Sequence, residues 1–203
     1  MFFVKPPYLL EKLLPRMKWR MPVNEKAIYL TFDDGPIPKI TPWVLEMLQQ
    51  FNAKATFFCV GDNVSNYPDI YSEILEKSHT TGNHTYHHLN GWKTVTEEYI
   101  KNTEKCGELI HSSLFRPPYG KLKPSQYSLL ADQYSIIMWD VLSGDYDIKI
   151  AKEKCFQNIV KNAKEGSIVV LHDSQKAECN LKYALPRVLE HFSKQGFEFK
   201  AIT

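Results

Sequence analysis

The sequence of 203 residues lacks several features that define common classes of protein. Its four cysteines are widely spaced and form no CxxC pair, so neither a zinc knuckle nor a disulfide scaffold is indicated. Neither GxGxxG nor a Walker sequence is present, which argues against the usual dinucleotide- and phosphate-binding loops. The net charge is only +2, from 25 basic and 23 acidic side chains, so we expect no nucleic-acid partner.

Long apolar runs are missing as well. No stretch reaches the roughly 20 apolar residues of a transmembrane helix, so we expect no membrane-spanning segment. The opening Met-Phe-Phe-Val is interrupted by Lys5, Pro6 and Pro7 before the apolar region of a signal peptide develops. We therefore expect a cytoplasmic protein, unless a leader has been removed. The oligomeric state is not predicted by any of these features.

The apolar residues that are present, 43% of the chain, alternate between short strand-like runs and helical patterns from residue 27 onward. About seven such alternations predict a parallel sheet with helices outside it. We predict a single α/β domain over residues 1–203, with residues 1–26 as an N-terminal extension packed on it. A closed or nearly closed barrel is favoured because reactive side chains follow many of the strands, although an open doubly wound sheet has the same alternation.

Those reactive side chains would meet at one rim of a barrel. The carboxyl ends of parallel strands lie together there, and active sites form at that end. The residues concerned are Asp33, Asp34, His84, His88, Arg116, Asp145 and His172.

Asp33 and Asp34 end an apolar run and precede Gly35 and Pro36. Two neighbouring carboxylates in a partly buried place require a cation, a shared proton, or both. An Asp-rich turn after a strand explains the pair equally well. The pair alone therefore leaves a metal site and a simple turn as alternatives.

His84 and His88 are four residues apart. On a helical turn this spacing places both imidazoles on one face, within reach of one ion. His84 and His87 form a workable pair too. Two histidines and one aspartate would leave positions open for water and substrate, which suits hydrolysis by Zn²⁺ or a similar metal.

His172 follows the most apolar strand of the chain, and a histidine at a rim suits a general acid with a pKa near neutrality. Either Asp140 or Asp145 could hydrogen-bond to a rim histidine, and spacing does not choose between them. Arg116 precedes a proline-fixed turn, where an ordinary surface arginine is the simplest alternative.

Five motifs in order along the chain carry a resemblance: TFDDGP (31–36), HTYHH (84–88), RPPYG (116–120), SGDYD (143–147) and VVLHD (169–173). This set resembles the polysaccharide deacetylase family, which is carbohydrate esterase family 4, also called the NodB-homology domain. The resemblance covers nearly the whole chain from residue 27. It implies a distorted seven-stranded (β/α) barrel, similar to a TIM barrel, and hydrolysis of an N-acetyl group on an amino sugar.

By motif position, the resemblance implies the metal ligands and the base. Asp34, His84 and His88 would bind a divalent metal, for which we expect Zn²⁺, with Co²⁺ or Ni²⁺ as alternatives. Asp33 would be the general base for the attacking water. Arg116 would orient and stabilise Asp33.

The resemblance also implies the groups that act on the substrate. The backbone N–H of Tyr119 would help to stabilise the tetrahedral oxyanion. His172 would be the general acid for the departing amine, with Asp145 holding it. The positions implied to contact substrate are Pro118, Tyr119, Tyr146 and Val170.

Three residues depart from the family pattern. Leu142 replaces the first acid of the fourth motif, and Tyr146 replaces its tryptophan. Val170 stands where the fifth motif has leucine. Tyr146 and Val170 would line the pocket for the acetate methyl, so these departures bear on the acyl group more than on catalysis.

From these residues we predict a metal-dependent hydrolase that removes N-acetyl groups from an amino-sugar glycan or glycoconjugate of the N-acetylglucosamine type. An O-acetyl sugar esterase and a non-catalytic carbohydrate-binding protein on the same fold are the alternatives. The predicted partner is a carbohydrate substrate whose chain length and linkage the sequence does not indicate.

Overall fold

The computed structural model of the chain describes residues 3–203, except for the side chains of Tyr8, Leu9 and Glu11. Met1 and Phe2, which belong to the predicted N-terminal extension, lie outside the described residues. Within the described part, no helix combines the length and apolar character needed to cross a bilayer.

The described residues alternate between strands and helices almost throughout. The strands are β1 (Met17–Lys18), β2 (Ala27–Asp33), β3 (Thr56–Cys59), β4 (Thr80–Asn83), β5 (Leu114–Phe115), β6 (Ser135–Ile137), β7 (Val141–Leu142), β8 (Ile168–His172) and β9 (Glu198–Phe199). The helices are α1 (Tyr8–Leu13), α2 (Ile40–Gln50), α3 (Gly61–Asn66), α4 (Pro68–Glu76), α5 (Thr96–Gly107), α6 (Pro124–Gln133), α7 (Lys152–Val160) and α8 (Glu178–Lys194). Short 3₁₀ turns cover Gly91–Lys93 and Pro118–Gly120.

The strands form one parallel sheet in the order β1-β6-β5-β4-β3-β2-β8-β7, and β9 pairs with the start of β2. β6 pairs with β5 while β7 pairs with β8, and only three residues separate β6 from β7. The single stretch 135–142 therefore connects the two ends of the row β5-β4-β3-β2-β8. This arrangement confirms the predicted α/β class and the distorted barrel.

β2 lies between β3 and β8 in the sheet, and all seven of its residues are buried. Alternate side chains point to opposite faces of a strand. Ile28, Leu30 and Phe32 belong to the large core cluster with residues of α2 and α8, whereas Tyr29 packs in a second cluster with Phe58 of β3. Because both faces are covered, the strand is a continuous apolar run that ends in Asp33.

The segment before residue 26 takes part in the sheet. Met17 of β1 pairs with Ile136 of β6, and Arg20 forms an antiparallel bridge to Ser167, just before β8. Part of the predicted N-terminal extension is therefore a strand of the main sheet. The segment links β6 to the amino end of β8.

Candidate active site

The two carboxylates of the first motif diverge at the carboxyl end of β2. Asp33 is the last residue of the strand, and its side chain is 6% exposed. Asp34 has a φ of 81°, so the chain turns sharply after Asp33. The Asp34 side chain is 28% exposed and is therefore more accessible than that of its neighbour. One acid lies inside the barrel and the other at its mouth.

The histidine motif forms an irregular loop after β4, and the helical turn that the spacing suggested is wrong. Thr85 and His88 both have positive φ, of 62° and 54°, which is incompatible with a right-handed helix. The Asn102 side chain of α5 fixes the loop by accepting hydrogen bonds from the backbone N–H groups of Tyr86 and His87. The loop buries His84 and leaves His87 exposed.

Asp34, His84 and His88 form a possible metal site, because one ligand atom of each lies within 4.8 Å of the others. Oδ1 of Asp34 is 3.1 Å from Nε2 of His88 and 3.9 Å from Nε2 of His84. Ligand bonds of about 2.1 Å in a tetrahedral Zn²⁺ site place ligand atoms roughly 3.4 Å apart, between these two distances. The donor set and its spacing therefore fit a divalent metal.

The protonation of these ligands also suits metal binding. Nδ1 of His84 donates to the carbonyl oxygen of Arg116 at 2.7 Å, which leaves the Nε2 lone pair for an ion. Burial lowers the pKa of His84 to about 4, so the ring is neutral at physiological pH. Burial opposes ionisation of Asp34, but the hydrogen bond with His88 and the nearby histidine charges lower its pKa below the ordinary value. A neutral imidazole and an ionised carboxylate are the forms that bind a cation.

Arg116 holds Asp33 from inside the barrel. Its Nη1 donates to Oδ1 of Asp33 at 2.7 Å and to Oγ1 of Thr31, also at 2.7 Å. Further hydrogen bonds reach the carbonyl oxygens of Ile137 and Met138. The arginine is fully buried rather than a surface side chain, and it occupies one oxygen of Asp33.

His172 is paired with Asp145, not with Asp140. Its Nδ1 lies 2.8 Å from Oδ1 of Asp145, and its backbone N–H donates to Oδ2 of the same residue at 2.8 Å. Asp140 instead hydrogen-bonds to Ser167 and to the backbone of Ile168, at the amino end of β8. Burial opposes protonation of His172, but the charge and hydrogen bond of Asp145 raise its pKa to about 9.

The predicted substrate positions lie around these groups. Tyr119 has a φ of 61°, and its ring centroid is 4.7 Å from that of His88. Pro118 beside it is buried. Tyr146 meets His172 edge to face at 5.0 Å, and Val170 lies on the same face of β8 as His172. Their roles toward a substrate stay predictions.

Sequence analysis predicts no role for Asp173. In the structure its fully buried carboxyl group holds the backbone just after Asp33 and Asp34. Oδ1 accepts the backbone N–H of Gly35 at 3.1 Å, and Oδ2 accepts the hydroxyl of Thr41 at 2.6 Å. A Cβ on Gly35 would lie 2.0 Å from Oδ2, so only glycine fits there. Burial raises the pKa of Asp173 to about 8; the Thr41 bond opposes this and the charge of Asp34 adds to it. The sequence feature that could have indicated a role for Asp173 is that this acid directly follows His172.

Comparison with known proteins identifies the family. The polysaccharide deacetylase family model matches residues 20–134. A peptidoglycan-N-acetylglucosamine deacetylase of Bacillus cereus is 34% identical over 91% of this chain and 90% of its own. A chitooligosaccharide deacetylase of Azorhizobium caulinodans is 36% identical, over 76% of this chain and 77% of its own. A crystal structure of a peptidoglycan N-acetylglucosamine deacetylase superposes with a TM-score of 0.86 and 29% identity, covering 97% and 95% of the two chains.

The chain therefore belongs to the polysaccharide deacetylase family. The predicted resemblance is confirmed by the family model and by both kinds of relative. Its named homologues are deacetylases, which supports a hydrolase that acts on amide bonds and takes a carbohydrate substrate.

Proposed function

We propose that this protein is a metal-dependent N-deacetylase of N-acetylglucosamine-containing glycans, with Zn²⁺ as the metal. One observation carries the proposal. A three-residue metal site lies beside a carboxylate held by a buried arginine and a histidine held by a buried carboxylate. Amide hydrolysis requires a polarised carbonyl, an activated water and a proton donor, and this arrangement offers one group for each.

The metal ligands would be Asp34, His84 and His88. A divalent cation held there would act as a Lewis acid toward the amide carbonyl and lower the pKa of water. Two imidazoles and one carboxylate are a donor set that suits Zn²⁺. The exposed side of the site, where Asp34 and His88 are each 28% accessible, leaves room for water and substrate.

Asp33 would be the general base. Arg116 binds Oδ1 and orients the carboxylate, while Oδ2 would accept a proton from the attacking water. The water oxygen then forms a bond to the carbonyl carbon. The backbone N–H of Tyr119 would donate to the developing oxyanion.

His172 would be the general acid. Its Nδ1–H donates to Asp145, so Nε2–H is the proton available to the substrate. A pKa raised to about 9 keeps the ring protonated at neutral pH. Proton transfer from Nε2 to the amide nitrogen lets the C–N bond break, which releases acetate and the free amine. Tyr146 and Val170 would contact the acetyl methyl.

Acetate release tests this proposal. Purified protein loaded with Zn²⁺ is compared with chelator-treated protein on N-acetylglucosamine oligomers, peptidoglycan fragments and O-acetylated sugars. We expect release from the amides, loss on chelation and recovery when Zn²⁺ is restored. Release from esters alone would replace the proposal with an O-acetyl esterase. Glycan binding that persists without metal, with no release from any substrate, would leave a non-catalytic binding protein.

A further inference from the structure

An exposed aromatic side chain lies in the same loop as two of the candidate metal ligands and has no part in the chemistry above. Trp92 follows the metal ligand His88 by four residues and is 62% exposed. It lies in the loop after β4, and the neighbouring loop after β5 carries Tyr119, which is 59% exposed. Single exposed apolar residues are common on protein surfaces. A functional role for Trp92 therefore needs further support.

The first support is that Trp92 is held in place. Its indole Nε1 donates to the carbonyl oxygen of Leu122 at 3.1 Å, and its backbone N–H donates to Oδ1 of Asn90, also at 3.1 Å. The turn packs so tightly against the next loop that a Cβ on Gly91 would lie 2.2 Å from the carbonyl oxygen of Lys121. A large apolar ring fixed in solvent before any ligand arrives loses little conformational entropy on binding.

The second support is continuity with the candidate site. The Tyr119 ring contacts the ring of His88, and Lys121 lies two residues beyond Tyr119. Nζ of Lys121 is 5.0 Å from the ring centroid of Trp92. A row of side chains thus runs along the rim from a metal ligand to the indole. It combines two aromatic surfaces with one ammonium donor.

We propose that Trp92, Tyr119 and Lys121 form a binding subsite for a second sugar of the same glycan chain, next to the unit that is deacetylated. The indole face would pack against the apolar C–H face of a pyranose ring, as amphipathic aromatic side chains do where one side of a ligand is apolar. The ammonium of Lys121 would donate to hydroxyl oxygens at the ring edge. This inference rests on the proposed function, and it assigns the site to an oligomer rather than to a single sugar.

The test compares chain lengths. The ratio of kcat/KM for an N-acetylglucosamine tetramer to that for the disaccharide is measured in wild type, Trp92→Ala and Trp92→Phe. We expect the ratio to fall about tenfold in Trp92→Ala, through KM rather than kcat, because one aromatic contact contributes on that scale. Trp92→Phe should keep most of the ratio. Leu129→Ala is the matched control, since Leu129 is an exposed apolar residue in the interior of α6 and is outside the proposed subsite. An unchanged ratio in Trp92→Ala would overturn the proposal.

Direct binding separates this inference from the proposed function. If wild type releases no acetate, the proposed function fails, and the tetramer is titrated into each variant by calorimetry. Binding by wild type and Leu129→Ala that is at least fivefold weaker in Trp92→Ala would support the subsite. Equal affinities, or no binding by wild type, would overturn it.

Discussion

Two arginine–aspartate pairs lie at opposite ends of the same barrel, and they differ in how the carboxylate is held. Arg116 and Asp33 meet at the carboxyl end of β2, 2.7 Å apart and buried. Arg20 and Asp140 meet at the amino end of β8, where Nε lies 3.2 Å from Oδ2 without hydrogen-bond alignment and the arginine is 29% exposed. The residue types are the same, but the surroundings are not.

Asp140 is saturated by fixed donors. Its Oδ1 accepts the backbone N–H of Ile168, and its Oδ2 accepts the hydroxyl of Ser167 and lies beside Arg20. Arg20 in turn belongs to the N-terminal segment that bridges to Ser167. Both oxygens are therefore committed to holding chain segments together, which is a structural use of the pair.

Asp33 has one oxygen bound by Arg116, and the other is the proposed proton acceptor. Arg116 also donates hydrogen bonds to Thr31 and to two backbone carbonyl oxygens. Its guanidinium lies 4.1 Å from the ring centroid of Phe58. The arginine is thus rigid, and the carboxylate is oriented by a single strong contact. Both aspartates lie beside an arginine, so the arginine does not distinguish them. They differ in the number of fixed donors: both oxygens of Asp140 are bound, whereas Asp33, the candidate base, is held through one oxygen.

The sharpest test of this comparison exchanges each aspartate for asparagine. Asp33→Asn should lower kcat for deacetylation by about 100- to 10,000-fold, because it removes the proposed general base while leaving the proposed metal ligands in place. Asp140→Asn should leave kcat within a few-fold and lower the free energy of unfolding by about 1–3 kcal/mol. Acetate release and urea unfolding measure the two effects. Similar kcat losses in both variants would contradict the proposal that Asp33 acts in catalysis and Asp140 only in structure.

Removing each arginine tests the difference in burial. Arg116→Met removes one partner of a buried ion pair and leaves Asp33 without its arginine, which should cost about 3–5 kcal/mol of unfolding free energy. Arg20→Met removes a partly exposed pair and should cost about 1 kcal/mol. Urea denaturation of both variants gives the comparison. Equal losses would show that the two pairs contribute alike.

Added metal should stabilise the folded protein through the ligands at the carboxyl end of the barrel. Zn²⁺ at a hundredfold excess over its Kd should raise the free energy of unfolding by about 2.7 kcal/mol. His88→Ala should remove this stabilisation, whereas His87→Ala, an exposed histidine of the same loop, should keep it. Thermal unfolding with and without Zn²⁺ measures the effect. Loss of the stabilisation in His87→Ala would instead favour the His84 and His87 pair.

Two histidines at opposite ends of the barrel have pKa values that shift in opposite directions. At the amino end, Nδ1 of His79 accepts the backbone N–H of Ala55, and burial, helped by the charges of Lys54 and Lys77, lowers its pKa to about 4. The unfolded chain, with an ordinary histidine pKa of about 6.5, binds more protons between these values. Stability should therefore fall as the pH drops from about 6.5 to about 4.

His172 should show the opposite slope. Its pKa in the folded protein is raised to about 9, so its stabilisation is complete below about 6.5 and is lost as the pH rises to about 9. Unfolding free energies of metal-free protein across this range measure both slopes. His79→Gln should reduce the acidic slope, leaving the part that comes from His84, whose pKa is also lowered to about 4. His172→Gln should reduce the alkaline slope. A slope that its own substitution leaves unchanged would contradict the assignment.

The sequence predicts much of the barrel because strand and helix periodicity is local. β2 is apolar up to Asp33 except at Thr31, and the alternation with helices indicates a parallel sheet. The short helix α3, directly after β3, was not predicted, since six residues with few apolar positions carry no periodic signal. The closure through residues 135–142 was not visible either, because it depends on which strands pair.

The same limit divides the candidate site. That Asp33, His84, Arg116 and His172 end or follow strands at one rim follows from the sequence alone, because strand patterning sets where each run ends. Spacing left both Asp140 and Asp145 open as partners of His172, the resemblance implied Asp145, and the structure shows that pair. The irregular histidine loop and the burial of Asp173 against Gly35 were decided by the tertiary structure. β2 and β8 lie side by side although more than a hundred residues separate them, and Asp33 is in register with His172. Sheet order and register are long-range properties, so periodicity predicts the rim but not the partners within it, and only the family resemblance implied that Arg116 pairs with Asp33 and Asp145 with His172.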